Sequence, residues 1–133
     1  MTSLMIILTW LGLEIKHYVV DWLIQPKYEW SNKGTYGHMG GIIHAGKHTI
    51  ATLFILVLIG MAFSLSIAWW AYLAIALVEG ILHYHIDWAK MNINRIKGWT
   101  ATTHAEFWML TGTDQFAHAL TYIGIVVCLI LIT

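Results

Sequence analysis

Four pairs of residues in this 133-residue chain carry side chains able to hold a cation or move a proton. They are His17 and Asp21, His44 and His48, His83 and Asp87, and Asp114 and His118, each spaced i, i+4. On a helix that spacing puts both side chains on one face, about one turn apart. Five imidazoles and three carboxylates make a donor set suited to zinc, iron, manganese or nickel. Facing helices that present such pairs are an established way to build a di-metal site. Any single pair is explained as well by a structural hydrogen bond, so the weight falls on whether the four pairs meet.

Composition indicates what would bring them together. The chain is 59% hydrophobic and 11% charged, where soluble domains run near a quarter charged. Four stretches have the roughly 20 mostly apolar residues that a membrane crossing needs: residues 4–24, 42–63, 67–89 and 111–132. Gln25-Pro26 ends the first, because proline cannot continue the helical ladder and restricts the residue before it. Ser31–Gly41 is rich in turn formers. Gly60–Ser66 reads as a tight turn, and Met91–Met109 as the longest polar connection, with a short surface helix over 101–110. The first segment lacks the basic start and small-residue cleavage site of a signal peptide and is expected to be retained. The expected fold is all-α: one transmembrane domain over residues 1–133, an integral membrane four-helix bundle.

Lysine and arginine set its orientation. Lys27, Lys33, Lys90, Arg95 and Lys97 fall in the connections after the first and third spans, and the other side has neither residue type. By the positive-inside rule those connections are cytoplasmic and both termini lie on the non-cytoplasmic side. Spans one and three then carry their pairs near their ends, and spans two and four near their starts. All four pairs fall at one depth, in the cytoplasmic half. Ionisable residues in a span normally face the interior and find a partner. Eight at one level are most simply satisfied by sharing cations. Two divalent ions against three aspartates leave about one positive charge, which a hydroxide would neutralise.

Glu14, Gln25, Gln115 and Tyr122 lie close to the pairs along the same faces and are expected to orient the ligands. Glu79, four residues before His83, is a candidate general base. His38 and His104 lie in connections, and His85 points away from the His83/Asp87 face. Lys47 is expected to snorkel to the interface, and Cys128 reads as a small apolar residue. The HxxxD-then-HxxxH order of the first two spans and the HxxxD-then-DxxxH order of the last two hint at two similar hairpins around one site.

The strings "HYVVDWLIQ", "GGIIHAGKHTIATL", "EGILHYHIDWAK" and "DQFAHALTY" resemble an uncharacterised family of small bacterial and phage membrane proteins, the domain of unknown function 3307. The resemblance covers nearly the whole chain. It supports the same residues, His17, Asp21, Gln25, His44, His48, His83, Asp87, Asp114, Gln115 and His118, and supplies no function. Pro26 departs from the family pattern, which has threonine or another small polar residue there.

These features lead to the expectation of a zinc-type hydrolase with two divalent ions, iron or manganese being alternatives. It would act at the cytoplasmic face of a bacterial inner membrane, or of a phage-infected host's, on a lipid or lipid phosphate. Its surroundings are the bilayer and, as an option, further copies of itself. A zero formal charge gives no sign of nucleic-acid binding. Three other readings stay open at this point: a metal-ion or proton conductor, a haem or di-iron redox protein, and a regulator with a structural metal. The outer halves of the spans, such as "MIILTWLGL" and "VVCLILIT", offer a conductor no polar path.

Overall fold

The structure, a computed structural model, describes residues 2–133. Thr2 caps the first helix by accepting a hydrogen bond from Met5 N (3.3 Å). Helix α1 (Ser3–Tyr18) continues into a π-helical turn, Val19–Leu23, closed by Ile24 N donating to Val19 O (3.0 Å). Wide turns of this kind recur at functional sites, and this one contains Asp21. Pro26 then starts a four-residue helix, α2 (Lys27–Trp30), which the sequence reading lacked. Helix α3 (Met39–Ala62) begins at His38, whose Nδ1 accepts from Gly40 N (3.0 Å). Helix α4 (Trp69–Lys97) and helix α5 (Ala105–Ile132) complete the chain.

Two boundaries differ from expectation for local reasons. Lys90–Lys97 has neither glycine nor proline, so α4 runs two turns past residue 89. It stops at Gly98, whose φ of +66° is the left-handed conformation that ends helices and that glycine adopts without strain. The surface helix expected over 101–110 is not a separate element. Ala101–Thr103 form a turn, His104 is the cap, and nothing after Ala105 breaks the ladder, so Phe107 and Trp108 belong to the first turns of α5.

Three helical segments are long and apolar enough to cross a membrane: Ser3–Leu23, Met39–Ala62 and Ala105–Ile132. With 29 residues α4 is long enough, but Trp69, Trp70, Tyr72, His83, Tyr84 and His85 lower its mean hydropathy. The long helices touch in cyclic order, α1 on α3, α3 on α4, α4 on α5 and α5 on α1, while α2 packs on α3. Their perimeter is apolar and open, with Ile50, Phe54, Met61, Val78, Ile81 and Leu131 exposed. Such an expanse is foreign to a water-soluble monomer.

The interior is layered. Leu13, Leu56, Tyr72, Tyr122, Ile125 and Leu129 form the apolar core in one half. In the other half the buried stripes of α3, α4 and α5 continue as His44 and His48, His83 and Asp87, and Asp114 and His118. That of α1 continues as Lys16 and His17. A Cβ at Gly40 would lie 2.6 Å from the Tyr28 carbonyl and 2.9 Å from Asn32 Cβ, so only glycine lets α2 lie against α3. Gly40→Ala is expected to destabilise by about 1–3 kcal/mol, the usual range for overpacking. Gly112, whose Cβ would meet open space, should accept alanine without loss. Thermal unfolding of both variants in detergent checks the contrast.

Candidate metal centre

The π-helical turn carries Asp21 to the centre of the polar layer. Its Oδ2 lies 2.9 Å from His17 Nε2, and its Oδ1 lies 2.9 Å from His48 Nε2, 3.0 Å from His44 Nε2 and 3.7 Å from His83 Nε2. The His44 and His83 Nε2 atoms are 3.2 Å apart. Asp87 Oδ2 faces the same space, 3.2 Å from His44 Nε2 and 3.4 Å from His83 Nε2. A tetrahedral ion with bonds of about 2.0–2.1 Å separates its ligand atoms by about 3.3 Å. The gaps here scatter around that value.

A second cluster continues from the first. His118 Nε2 stands 3.6 Å from Asp114 Oδ1 and 3.9 Å from Asp87 Oδ1. Asp87 Oδ2, Asp114 Oδ1, His118 Nε2 and His83 Nδ1 are buried without a hydrogen-bond partner. Buried polar atoms are almost always satisfied, by protein or by something bound. Two groups have ligand atoms close enough to share an ion: Asp21, His44, His48 and His83, and His83, Asp87 and His118. They share His83. His17 and Asp114 lie beside these groups rather than in them.

Three basic and acidic residues that the sequence reading did not place in the site complete it. Lys16, only 5% exposed, sits between Glu79 Oε1 (2.7 Å) and His48 Nδ1 (3.0 Å). Thr52 Oγ1 donates to Glu79 Oε2 (3.1 Å). Glu79 is therefore committed to an ion pair, and the free general base expected there is not what its surroundings provide. Lys33 reaches in from the turn after α2 to Asp87 Oδ1 (3.0 Å). Burial pushes its ammonium down, but the Asp87 and Asp21 carboxylates more than reverse this, and its pKa is raised. Glu29, on α2, pairs with Lys47 Nζ (2.5 Å) and holds Oε2 3.5 Å from His44 Nδ1. Lys47 thus turns to α2 and does not snorkel freely.

These neighbours make the histidines unequal. An ammonium only donates, so His48 Nδ1 accepts from Lys16 and its proton sits on Nε2, directed at Asp21. Similarly, the ionised Asp21 accepts from His17 Nε2, so His17 Nδ1 accepts from Tyr122 Oη (2.9 Å). His44 is freer. Gln25 Nε2 donates to its Nδ1 (2.9 Å), but Glu29 Oε2 stands by the same nitrogen and can take a proton there. With that proton on Nδ1, Nε2 offers a lone pair, as metal-binding histidines backed by carboxylates do. Gln115 Nε2 donates to Asp114 Oδ2 (3.0 Å), whereas Glu14 Oε1 has no hydrogen-bond partner. His38 and His104 bond locally, to Gly40 N and Thr100 N, and His85 bonds to Ile81 O and Tyr36 Oη, none of them a residue of the four pairs.

Residues 7–133 match the family described as Protein of unknown function (DUF3307). The chain belongs to this family. No curated protein and no solved structure matches it. Family membership brings no activity, so the chemistry rests on the side chains.

Some of the missed residues left a trace in the sequence. Lys16 continues the stripe Thr9, Leu13 at helical spacing, which places it inside. Proline followed by "KYEW" is a helix-start pattern with an acid in the first turn, which would have flagged Glu29. Nothing local marks Lys33. Removing one member of the Lys16–Glu79 pair leaves a buried charge uncompensated, at a cost of about 3–5 kcal/mol. Lys16→Met is expected to unfold at much lower temperature, and Lys16→Met with Glu79→Gln to recover most of the loss. Unfolding midpoints of the two proteins decide this.

Proposed function

We propose that this protein is an integral membrane four-helix bundle, α4 included, whose polar layer binds divalent metal, zinc by preference, and hydrolyses a substrate reaching it from the cytoplasmic face. Both termini lie on the non-cytoplasmic side of a bacterial inner membrane. Three membrane-length helices and the basic residues gathered at the α2 end support the topology. The observation that carries the metal is the set of buried, unpartnered ligand atoms on Asp87, Asp114 and His118, continuous with the Asp21 cluster.

The residues fit an ion unequally. Asp21, His44 and His83 would hold the first, with His48 held by Lys16 as a hydrogen-bond donor on Asp21. His118 and Asp87 would hold the second, with Asp114 beside them. A divalent ion of this type supplies Lewis acidity and a hydroxide at neutral pH. In hydrolysis a water oxygen would bond to the substrate and the bond to the leaving alcohol would break, the water's proton passing to that alcohol. We assign the handling of that proton to Asp114 in place of Glu79, because its Oδ1 makes no hydrogen bond and the residue lines an open cavity. Glu29 sets the His44 proton on Nδ1, and Lys33 compensates Asp87. Conduction is disfavoured by the apolar layer of Leu13, Leu56 and Tyr122, which closes the way outward.

Purified protein is expected to carry two equivalents of zinc by elemental analysis. His44→Ala and His83→Ala should lose it, and His38→Ala and His85→Ala should keep it. Metal-free wild type, or full metal in both centre variants, would contradict the proposal. Glu29→Gln should weaken zinc binding by about 10–100-fold, the usual cost of losing a residue that orients a ligand. Competition with a chelator of known affinity measures this.

A further inference from the structure

The polar layer has an opening on the side of the basic connections. A cavity of about 230 Å³ is lined by Asp21 and Asp114 of the centre, by Lys33 and Lys90, and by Gln115 and Trp30. Lys33 and Lys90 come from separate elements, the turn after α2 and the far part of α4. Lys33 is held on Asp87, and Lys90 forms no ion pair among the described residues. The opening therefore combines an ammonium outside any ion pair, an amide and an Asp114 Oδ1 that makes no hydrogen bond.

Charge sets what can enter. Around this cavity Asp21, Asp87 and Asp114 against Lys33 leave two negative charges, because Lys16–Glu79 and Lys47–Glu29 neutralise themselves and Glu14 lines a different cavity. Two divalent ions would turn that into two positive charges, before counting Lys90. Lys33 thus raises the positive charge above what the three aspartates alone would leave, and one hydroxide no longer balances it. A phosphate monoester, with two negative charges and several acceptor oxygens, does. Ammonium groups and metal ions are what such oxygens recognise. A neutral ester or peptide would leave the charge standing in a buried layer.

We propose that this cavity is the substrate subsite of the centre and receives a phosphoryl group, borne by a lipid headgroup or by a soluble monoester, with Lys90 and Lys33 on its oxygens. The assignment rests on the metal-dependent reading above. The reaction is hydrolysis: a water oxygen bonds to phosphorus, the ester P–O bond breaks, and the alcohol leaves with a proton from that water. No oxidant or reductant is involved.

The test uses full-length protein in phosphatidylcholine nanodiscs, with zinc content measured on every sample. Inorganic phosphate is the binding probe, followed by equilibrium dialysis. Zinc-loaded protein should bind phosphate, and Lys90→Met should weaken binding at least about tenfold, as expected for losing a hydrogen bond between charged groups, with zinc unchanged. Lys33→Met should weaken it further if it folds; Lys90→Met, on a half-buried residue, keeps the test decisive if it does not. Turnover of phosphatidic acid but not p-nitrophenyl phosphate identifies a lipid-borne group, and the reverse identifies a soluble one. Zinc-loaded wild type that binds no phosphate, or binds it equally after Lys90→Met, overturns the subsite and leaves the metal centre standing. Wild type without zinc overturns both.

Discussion

Asp21 Oδ1 faces three imidazole nitrogens within 3.7 Å inside a layer walled by apolar helices, and much of the chain serves to make that arrangement tolerable. Ionised groups out of water are costly unless they are paired and hydrogen-bonded. The π-helical turn delivers the carboxylate, α3 supplies two of the rings and α4 the third. Short α2 folds back under α3 and closes the layer with Glu29. Gly40 permits that approach because a side chain there would meet the α2 backbone.

The compensation is uneven. On the apolar side, Glu79 is satisfied by Lys16 and Thr52, and beyond it stands a closed hydrocarbon core. Towards the basic connections, Asp87 Oδ2, Asp114 Oδ1 and His118 Nε2 lack partners and a cavity opens. A layer meant only to hold helices together would gain by satisfying these atoms or replacing them with apolar ones. Their grouping around Asp87 is what the proposed cation would satisfy.

The pairs were legible in the sequence because i, i+4 spacing survives translation into helices almost without loss. His44/His48, His83/Asp87 and Asp114/His118 each share a buried stripe, as the spacing implies. The same rule could not say which pair members fall into which of the two ligand groups. His17 and Asp114 have the right spacing and depth, yet neighbours one helix away turn them to other partners: Tyr122 and Asp21 for His17, Gln115 for Asp114. Lys33 was hidden for a different reason, and Lys16 and Glu29 left only local traces. Charged residues near a membrane boundary ordinarily point to water, and only the fold-back of α2 and the turn after it brings two of them inside. The length of α4 was underestimated because its last two turns are polar, and helix length follows backbone continuity rather than hydropathy.

The central claim is that a divalent ion sits among Asp21, His44 and His83, and X-ray absorption spectroscopy at the metal edge of the purified protein tests it most directly. The account predicts an edge for a stoichiometric metal with a shell of nitrogen and oxygen atoms at about 2.0–2.1 Å, outer-shell scattering from at least two imidazoles and no sulfur. A sulfur shell, a metal without imidazole scattering, or no edge above background would contradict it.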